Sequence, residues 1–214
     1  SKWPLRLAPG GTKKVASGCD GVVLRPARGP VLQAGQYLDW TLGVRNPDDR
    51  GNRRPFTIAS APGDDEVHLG VKFYPGPSAF KRSLLNMKPG DTIYGSQIAG
   101  EFTLPKDRNE KLAFIAGGIG VTPFRSMMQE LIDTRDDRSI GMRYGNNRVK
   151  EIAYADVFDR AERELGIKTV YAVASDATLD TNMHRGFIDA DLIKREVPDY
   201  RERTFYVSGP RAMV

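Results

Sequence analysis

Cysteine is almost absent: Cys19 stands alone among 214 residues. The chain therefore closes no internal disulfide and supplies no four-cysteine zinc or iron–sulfur site, and an intracellular, cytoplasmic setting is expected. His68 and His184 are the only histidines, and neither has a second His or a Cys at ligand spacing, so no metal is expected. No apolar run reaches the roughly 18 residues that span a bilayer, and Ser1-Lys2-Trp3-Pro4 does not open like a signal peptide. Long runs of one charge are missing too. The 32 Lys and Arg outnumber the 27 Asp and Glu by five, yet Lys13-Lys14 and Arg53-Arg54 lack aromatic stacking platforms beside them. A nucleic-acid partner is excluded on that ground, while an acidic partner or a membrane surface stays open.

What is present is a folded chain with 22 Gly, 14 Pro and 40% apolar residues. Between Val15 and Leu104, short apolar runs are separated by Gly, Pro, Asp and Asn, the punctuation of antiparallel strands. Strands are expected at 20–25, 37–44, 54–59, 67–73 and 91–94. After the polar stretch 105–110 the pattern alternates strand and helix: strands at 111–116, 140–144, 168–174 and 204–207, helices at 121–134, 152–165 and 188–196. Alternation of this length predicts a parallel sheet with right-handed crossovers. The expected architecture is an N-terminal antiparallel Greek-key β-barrel over 1–106 followed by a Rossmann-like parallel α/β domain over 107–214. A start without Met, and a stop at Met213-Val214 directly after a Gly-Pro turn, read as a piece cut from a longer chain.

Gly117-Gly118-Ile119-Gly120-Val121-Thr122-Pro123 joins an apolar strand to a helix. Glycines there let backbone amides approach a pyrophosphate, although the same turn also serves as a tight connection. Ser208-Gly209-Pro210 follows the last strand, on the same sheet edge, so the two turns are expected to face each other across a crevice. No Lys-[Ser/Thr] pair follows the glycines, which argues against a phosphoryl-transfer loop. In the barrel, Arg54-Pro55-Phe56-Thr57 groups a cation, an aromatic ring and a hydroxyl, or is an ordinary strand with a core Phe. Gly76 to Leu85 reads as a turn opening a helix, whose first amides suit an anion.

Together, the R-x-[FY]-[ST] element at Arg54 to Thr57, G-G-x-G-x-T-P at Gly117 to Pro123 and [CS]-G-P at Ser208 to Pro210 resemble the ferredoxin–NADP reductase superfamily, in order and spacing over nearly the whole chain. Gly35-Gln36-Tyr37, Arg50 to Thr57 and Val71-Lys72-Phe73 are most similar to flavin/NAD domains fused behind bacterial membrane electron-transport segments, which would set the chain at the cytoplasmic face of a membrane.

The resemblance implies FAD on the barrel and NADH or NADPH on the α/β domain, with hydride passing from nucleotide to flavin and electrons then leaving to a separate redox protein, domain or membrane-embedded segment. FMN in place of FAD stays open, as does a module that binds flavin without turning over the nucleotide. It further implies that Arg54 holds the flavin pyrophosphate, Phe56 stacks on the ring and Thr57 bonds near flavin N5, with Pro55 between them. Val71, Lys72 and Phe73 would line the flavin; Gly76, Ser78 and Ala79 would meet its phosphates. Gly117, Gly118, Gly120 and Val121 would hold the nucleotide pyrophosphate, with Thr122, Pro123, Gly209 and Pro210 about the nicotinamide. Thr57 and Ser208 are the candidate catalytic residues, Ser208 standing where many relatives have Cys. At the adenosine end, Ser175-Asp176 without a neighbouring Arg points to NADH, while Arg143 and Arg148 keep NADPH open.

Overall fold

The computed structural model describes residues 5–28, 31–96 and 98–214. Six antiparallel strands, β1 (Leu5–Ala16), β2 (Cys19–Pro26), β3 (Tyr37–Leu42), β4 (Arg53–Thr57), β5 (Val67–Lys72) and β6 (Ile93–Gly95), form the first sheet in the order β4-β3-β6-β1-β2-β5. Its two outer strands meet through an Ile58–Leu69 bridge and an Ala59 N–H donated to the His68 carbonyl at 2.7 Å, which closes the sheet into a barrel. Alternation decides what lies inside: Val67, Leu69 and Val71 of β5 are buried while His68, Gly70 and Lys72 face outward. Leu38, Trp40 and Leu42 of β3 complete the interior with Ile93, and α1 (Ala79–Leu85) adds Phe80 and Leu84.

The second sheet is parallel, ordered β10-β9-β8-β7-β11, with β7 (Leu112–Gly117), β8 (Ile140–Asn146), β9 (Thr169–Val173), β10 (His184–Arg185) and β11 (Thr204–Ser208). The chain's α2 (Thr122–Thr134), α3 (Ala155–Leu165) and α4 (Ala190–Glu196) accompany it. Every residue of β7 is buried, as a central strand covered on both faces requires. The two cores are not sealed from one another. Ala16, Cys19 and Ala34 of the barrel half pack into the cluster that contains Phe114, Phe124, Met127 and Tyr144.

Several boundaries differ from expectation for local reasons. Strand β1 was not expected at all, because Gly10-Gly11 and Lys13-Lys14 break its alternation; it carries register shifts between Pro9 and Gly11 and between Lys14 and Ala16. The helix expected from 188 starts at Ala190, since Asp189 is its cap, Oδ1 accepting the Leu192 N–H at 2.8 Å. The helix expected from 152 starts at Ala155, behind a short turn at Val149–Glu151 and Tyr154 in the left-handed region at φ 61°. No helix among the described residues is long and apolar enough to cross a membrane.

Candidate functional site

In the parallel sheet, β7 ends at Gly117 and the chain runs through a 3-10 turn, Gly118–Val121, into α2. Pro123 sits in the first helical turn, where its missing N–H costs nothing, and Val121 is in the core. The buried Thr122 donates its hydroxyl to the Ile119 carbonyl at 3.3 Å. Glycine is demanded by contact at two places. A Cβ on Gly120 would lie 2.6 Å from Gly209 Cα and 2.7 Å from the Ser208 carbonyl, and one on Gly117 would lie 2.7 Å from Met213 Sδ. The two turns thus pack backbone against backbone instead of facing each other across open space. At Gly118 the situation is reversed: φ is 51° and nothing lies within 4 Å of an added Cβ.

That open side borders a cavity of about 490 Å³ lined by Gly117, Gly118, Asn146, Phe187 and Pro210 together with Lys72 from the barrel. It lies at the carboxyl ends of β7 and β8, where open α/β sheets receive ligands. Asn146, 9% exposed, has no hydrogen-bond partner on either amide atom. Phe187, 74% exposed, stands at the rim. Asn146 lies in the stretch Tyr144 to Arg148 that the sequence assigns to the adenosine end, without being picked out there; a Phe after Gly186 carries no spacing signal.

At the expected adenosine end, the Ser175 N–H is donated to the Asn147 carbonyl at 2.8 Å and Asp176 Oδ2 accepts the Val149 N–H at 2.5 Å. Arg143 is no candidate for a 2′-phosphate: it is buried, donates to the Glu196 carbonyl at 2.6 Å, and desolvation lowers its pKa. A different cation is present. Arg185 of β10, nine positions beyond Asp176, donates to the carbonyls of Asp176 and Ala177 at 2.7 and 2.9 Å.

On the barrel, Arg54 is 6% exposed, and its donors are engaged internally. Nη1 donates to the carbonyls of Arg50, Gly51 and Arg53, and Nη2 to Asp48 Oδ1 at 2.9 Å, while the guanidinium lies 5.5 Å from the Phe80 ring centre. Asp48 Oδ2 also accepts the Ala79 N–H at 3.3 Å, so Arg54 and Ala79 converge on a carboxylate that no motif marked. Desolvation pushes the Asp48 carboxyl up, but the Arg50 amide, Arg54 and the Ala79 amide together hold it below the ordinary range. Pro55 is exposed and Thr57 half-buried opposite Tyr37. Phe56 is half-buried against Phe80, ring centres 6.1 Å apart. The period-two alternation turns the Val71 side chain into the barrel interior, while Lys72 faces the cavity and Phe73 is half-buried beneath Lys81. Ser78 caps α1, its Oγ accepting the Lys81 N–H at 3.3 Å, and Gly76 sits in a left-handed turn with open space around it.

The two halves touch at Gly70 of β5, whose added Cβ would lie 2.5 Å from Thr122 Cγ2 and 2.7 Å from Tyr154 Oη. The strand leading to Lys72 therefore lies directly against the start of α2. A glycine floor, an unpaired buried amide and a cavity shared by both halves fit a nucleotide in the crevice. Half-buried Phe56 and Phe73 and the open Gly76 turn fit a planar phosphorylated cofactor on the barrel, with Asp48 sharing its anion donors.

Residues 114–214 match the family model described as the oxidoreductase NAD-binding domain. A flavohemoprotein of Xylella fastidiosa is 28% identical over 189 residues, 86% of this chain and 46% of the relative, so the chain spans about half the length of the curated relatives it matches. Among solved structures, the Amycolatopsis cytochrome P450 reductase GcoB superposes with a TM-score of 0.82 at 23% identity, covering 98% of this chain and 62% of that one. A ferredoxin–NADP reductase from Neisseria gonorrhoeae with bound FAD and NADP gives 0.76 at 15% identity, covering 98% and 86%. The chain thus has the fold of these solved reductase structures, and its residues 114–214 are similar to the oxidoreductase NAD-binding domain.

Proposed function

We propose that the chain is a reductase module that takes a hydride from NADH onto FAD and passes electrons to a separate redox protein or domain. Residues 1–106 serve as the flavin domain and 107–214 as the nucleotide domain. The observation that carries this reading is the shared cavity: Lys72 of the flavin domain and Gly117, Gly118 and Pro210 of the nucleotide domain border one space.

A flavin held here would supply the redox chemistry; the residues supply binding and orientation. Phe56 and Phe73 offer the flavin apolar ring faces, and Thr57 a neutral hydroxyl beside the reacting edge. Gly76, Ser78, Ala79 and Arg54 receive its phosphates once Asp48 gives way or shares its donors. Gly117, Gly118 and Gly120 let the nucleotide pyrophosphate approach the backbone at the start of α2. Thr122, Ser208, Gly209 and Pro210 border the nicotinamide, whose pocket Met213 closes from below. Ser175, Asp176 and Asn146 meet the adenosine ribose: Asn146 has a donor and an acceptor to spare, which suits a diol better than a phosphate, and Arg143 is withdrawn. NADH is accordingly the proposed donor, with NADPH the alternative supported by exposed Arg148 and by Arg185 beside Asp176. The flavohemoprotein relatives are about twice as long as this chain, which supports an acceptor carried elsewhere.

Anaerobic addition of NADH to the purified, FAD-loaded protein tests the reading. Bleaching of the flavin absorbance is expected. A flavin that stays oxidised would favour a passive flavin holder, and a protein that takes up no flavin would remove both.

A further inference from the structure

Beyond Gly70 and Tyr154, the seam between the sheets is crossed by two polar side chains one turn into α2. Arg125 Nη1 donates to the Ala59 carbonyl at 3.0 Å and lies 3.5 Å from Asp64 Oδ2; Ser126 Oγ donates to the Ser60 carbonyl at 2.7 Å. Ala59 and Ser60 follow β4 after Ile58, and His68 of β5 holds both, its carbonyl accepting the Ala59 N–H and its own N–H donated to Ser60 Oγ at 3.0 Å. The Arg125 guanidinium also lies 5.9 Å from the Tyr154 ring centre. That ring belongs to a residue with a left-handed backbone, and its unpartnered hydroxyl presses on Gly70. One side chain therefore ties together the helix that leaves the glycine turn, the segment that leaves the proposed flavin strand, and the aromatic ring wedged between them.

Apolar contacts of Ala16, Cys19 and Ala34 with the second core already join the two halves, so Arg125 is not what holds them together. Charge alone does not explain it, because Nε is buried without a partner and Asp64 Oδ2 lies at the long distance of 3.5 Å. What the side chain adds is a span: from Nη1 it meets the Ala59 carbonyl and approaches Asp64, while its guanidinium lies near the Tyr154 ring. We propose that Arg125 is a positioning residue for hydride transfer, setting the spacing between the Arg54–Thr57 strand and the Gly117–Gly120 turn and hence the separation of donor and acceptor rings. This rests on the reductase reading above. A displacement of about 1 Å costs transfer roughly a hundredfold.

The test is anaerobic single-turnover reduction of the FAD-loaded protein by NADH, comparing the parent with Arg125→Ala and Arg125→Lys. For Arg125→Ala the transfer rate constant is expected to fall roughly a hundredfold, with FAD affinity and the NADH concentration for half-saturation within about threefold of the parent. The long-wavelength absorbance band that reports contact between flavin and nicotinamide rings should weaken, and added guanidinium ion should restore part of the rate. Arg125→Lys keeps the stem and the charge, so it carries the test if the alanine variant does not fold; it too should be slow. Parental rate and an undiminished band in either variant would overturn the inference, as would a rate loss matched by an equal loss of FAD. A parent that binds FAD but is not reduced by NADH would instead overturn the reductase reading, and this inference with it.

Discussion

The two proposed phosphate sites are built in opposite ways. In the nucleotide half the site is made by what is left out: Gly117, Gly120 and Gly209 have no room for a side chain, and Gly118 opens onto the cavity. In the flavin half it is made by what is put in, and the donors are already in use, Arg54 on three carbonyls and Asp48, and the Ala79 amide on Asp48. A site of the first kind exists before its ligand arrives. One of the second kind must exchange an internal partner for the ligand, and its affinity is a difference between two anions.

The largest expected effect separates the halves outright. Gly120→Ala drives a methyl into the backbone of Gly209 and the Ser208 carbonyl, groups that cannot rotate away, and should cost about 3 kcal/mol or more. Thermal melting should fall steeply and NADH reduction should be lost, since the three atoms nearest that methyl all belong to the Ser208–Gly209 turn. A Gly120→Ala protein with parental melting temperature would show that the two turns do not pack as described.

Next in size is Phe56→Ala. Phosphate contacts at about 1.5–3 kcal/mol each must first offset an association cost of about 4–15 kcal/mol, and in this half they are further offset by Asp48. Ring stacking and burial must supply the rest, so the variant should lose FAD by gel filtration while Thr57→Ala keeps it and is reduced more slowly by NADH. A Phe56→Ala protein that stays yellow, or a Thr57→Ala protein reduced at the parental rate, would contradict the assignment.

The same contrast governs what could be read beforehand. The glycine motif was legible because close packing leaves only one residue type that fits, and the buried run Leu112–Gly117 announced its strand by composition. The barrel strands were legible by alternation except β1, where two bulges break the period. Asp48 escaped notice because a carboxylate six residues before Arg54 in a turn has no period and no spacing; only the fold brings it to the Ala79 amide. Arg185 reaches Asp176 by pairing across β9 and β10, a contact between segments that no local pattern links. Arg143 misled for the complementary reason: adjacency in sequence said nothing about which face of β8 it occupied.

A smaller effect should run in the favourable direction. Asp48→Asn removes the charge that competes with phosphate at Arg54, so FAD and FMN should bind up to about tenfold more tightly, about 1.4 kcal/mol, while riboflavin, with no phosphate, is unaffected. The pH dependence has a definite sign. Because the Asp48 carboxyl is held below its ordinary value, its contribution to stability is full above the unfolded carboxylate pKa and is lost as pH falls through the folded one. The parent should therefore lose more stability on acidification than Asp48→Asn, by thermal melting across that interval. Unchanged or weaker FAD binding by the variant would mean that Asp48 orients Arg54 for the phosphate rather than competing with it.

The smallest change bears most directly on where the nucleotide runs. Gly118→Ala meets no atom within 4 Å, so its only folding cost is a left-handed backbone at φ 51°, about 1–2 kcal/mol. For a chain of this size that is a melting shift of roughly 2–8 °C. If the open side of Gly118 is where the pyrophosphate passes, the methyl occupies ligand space, and the NADH concentration for half-saturation should rise at least tenfold while flavin binding is untouched. The same small melting shift with an unchanged NADH requirement would place the nucleotide elsewhere in the cavity, leave Gly118 as a turn residue only, and remove the distinction between a site preformed by glycine and one that must be exchanged open.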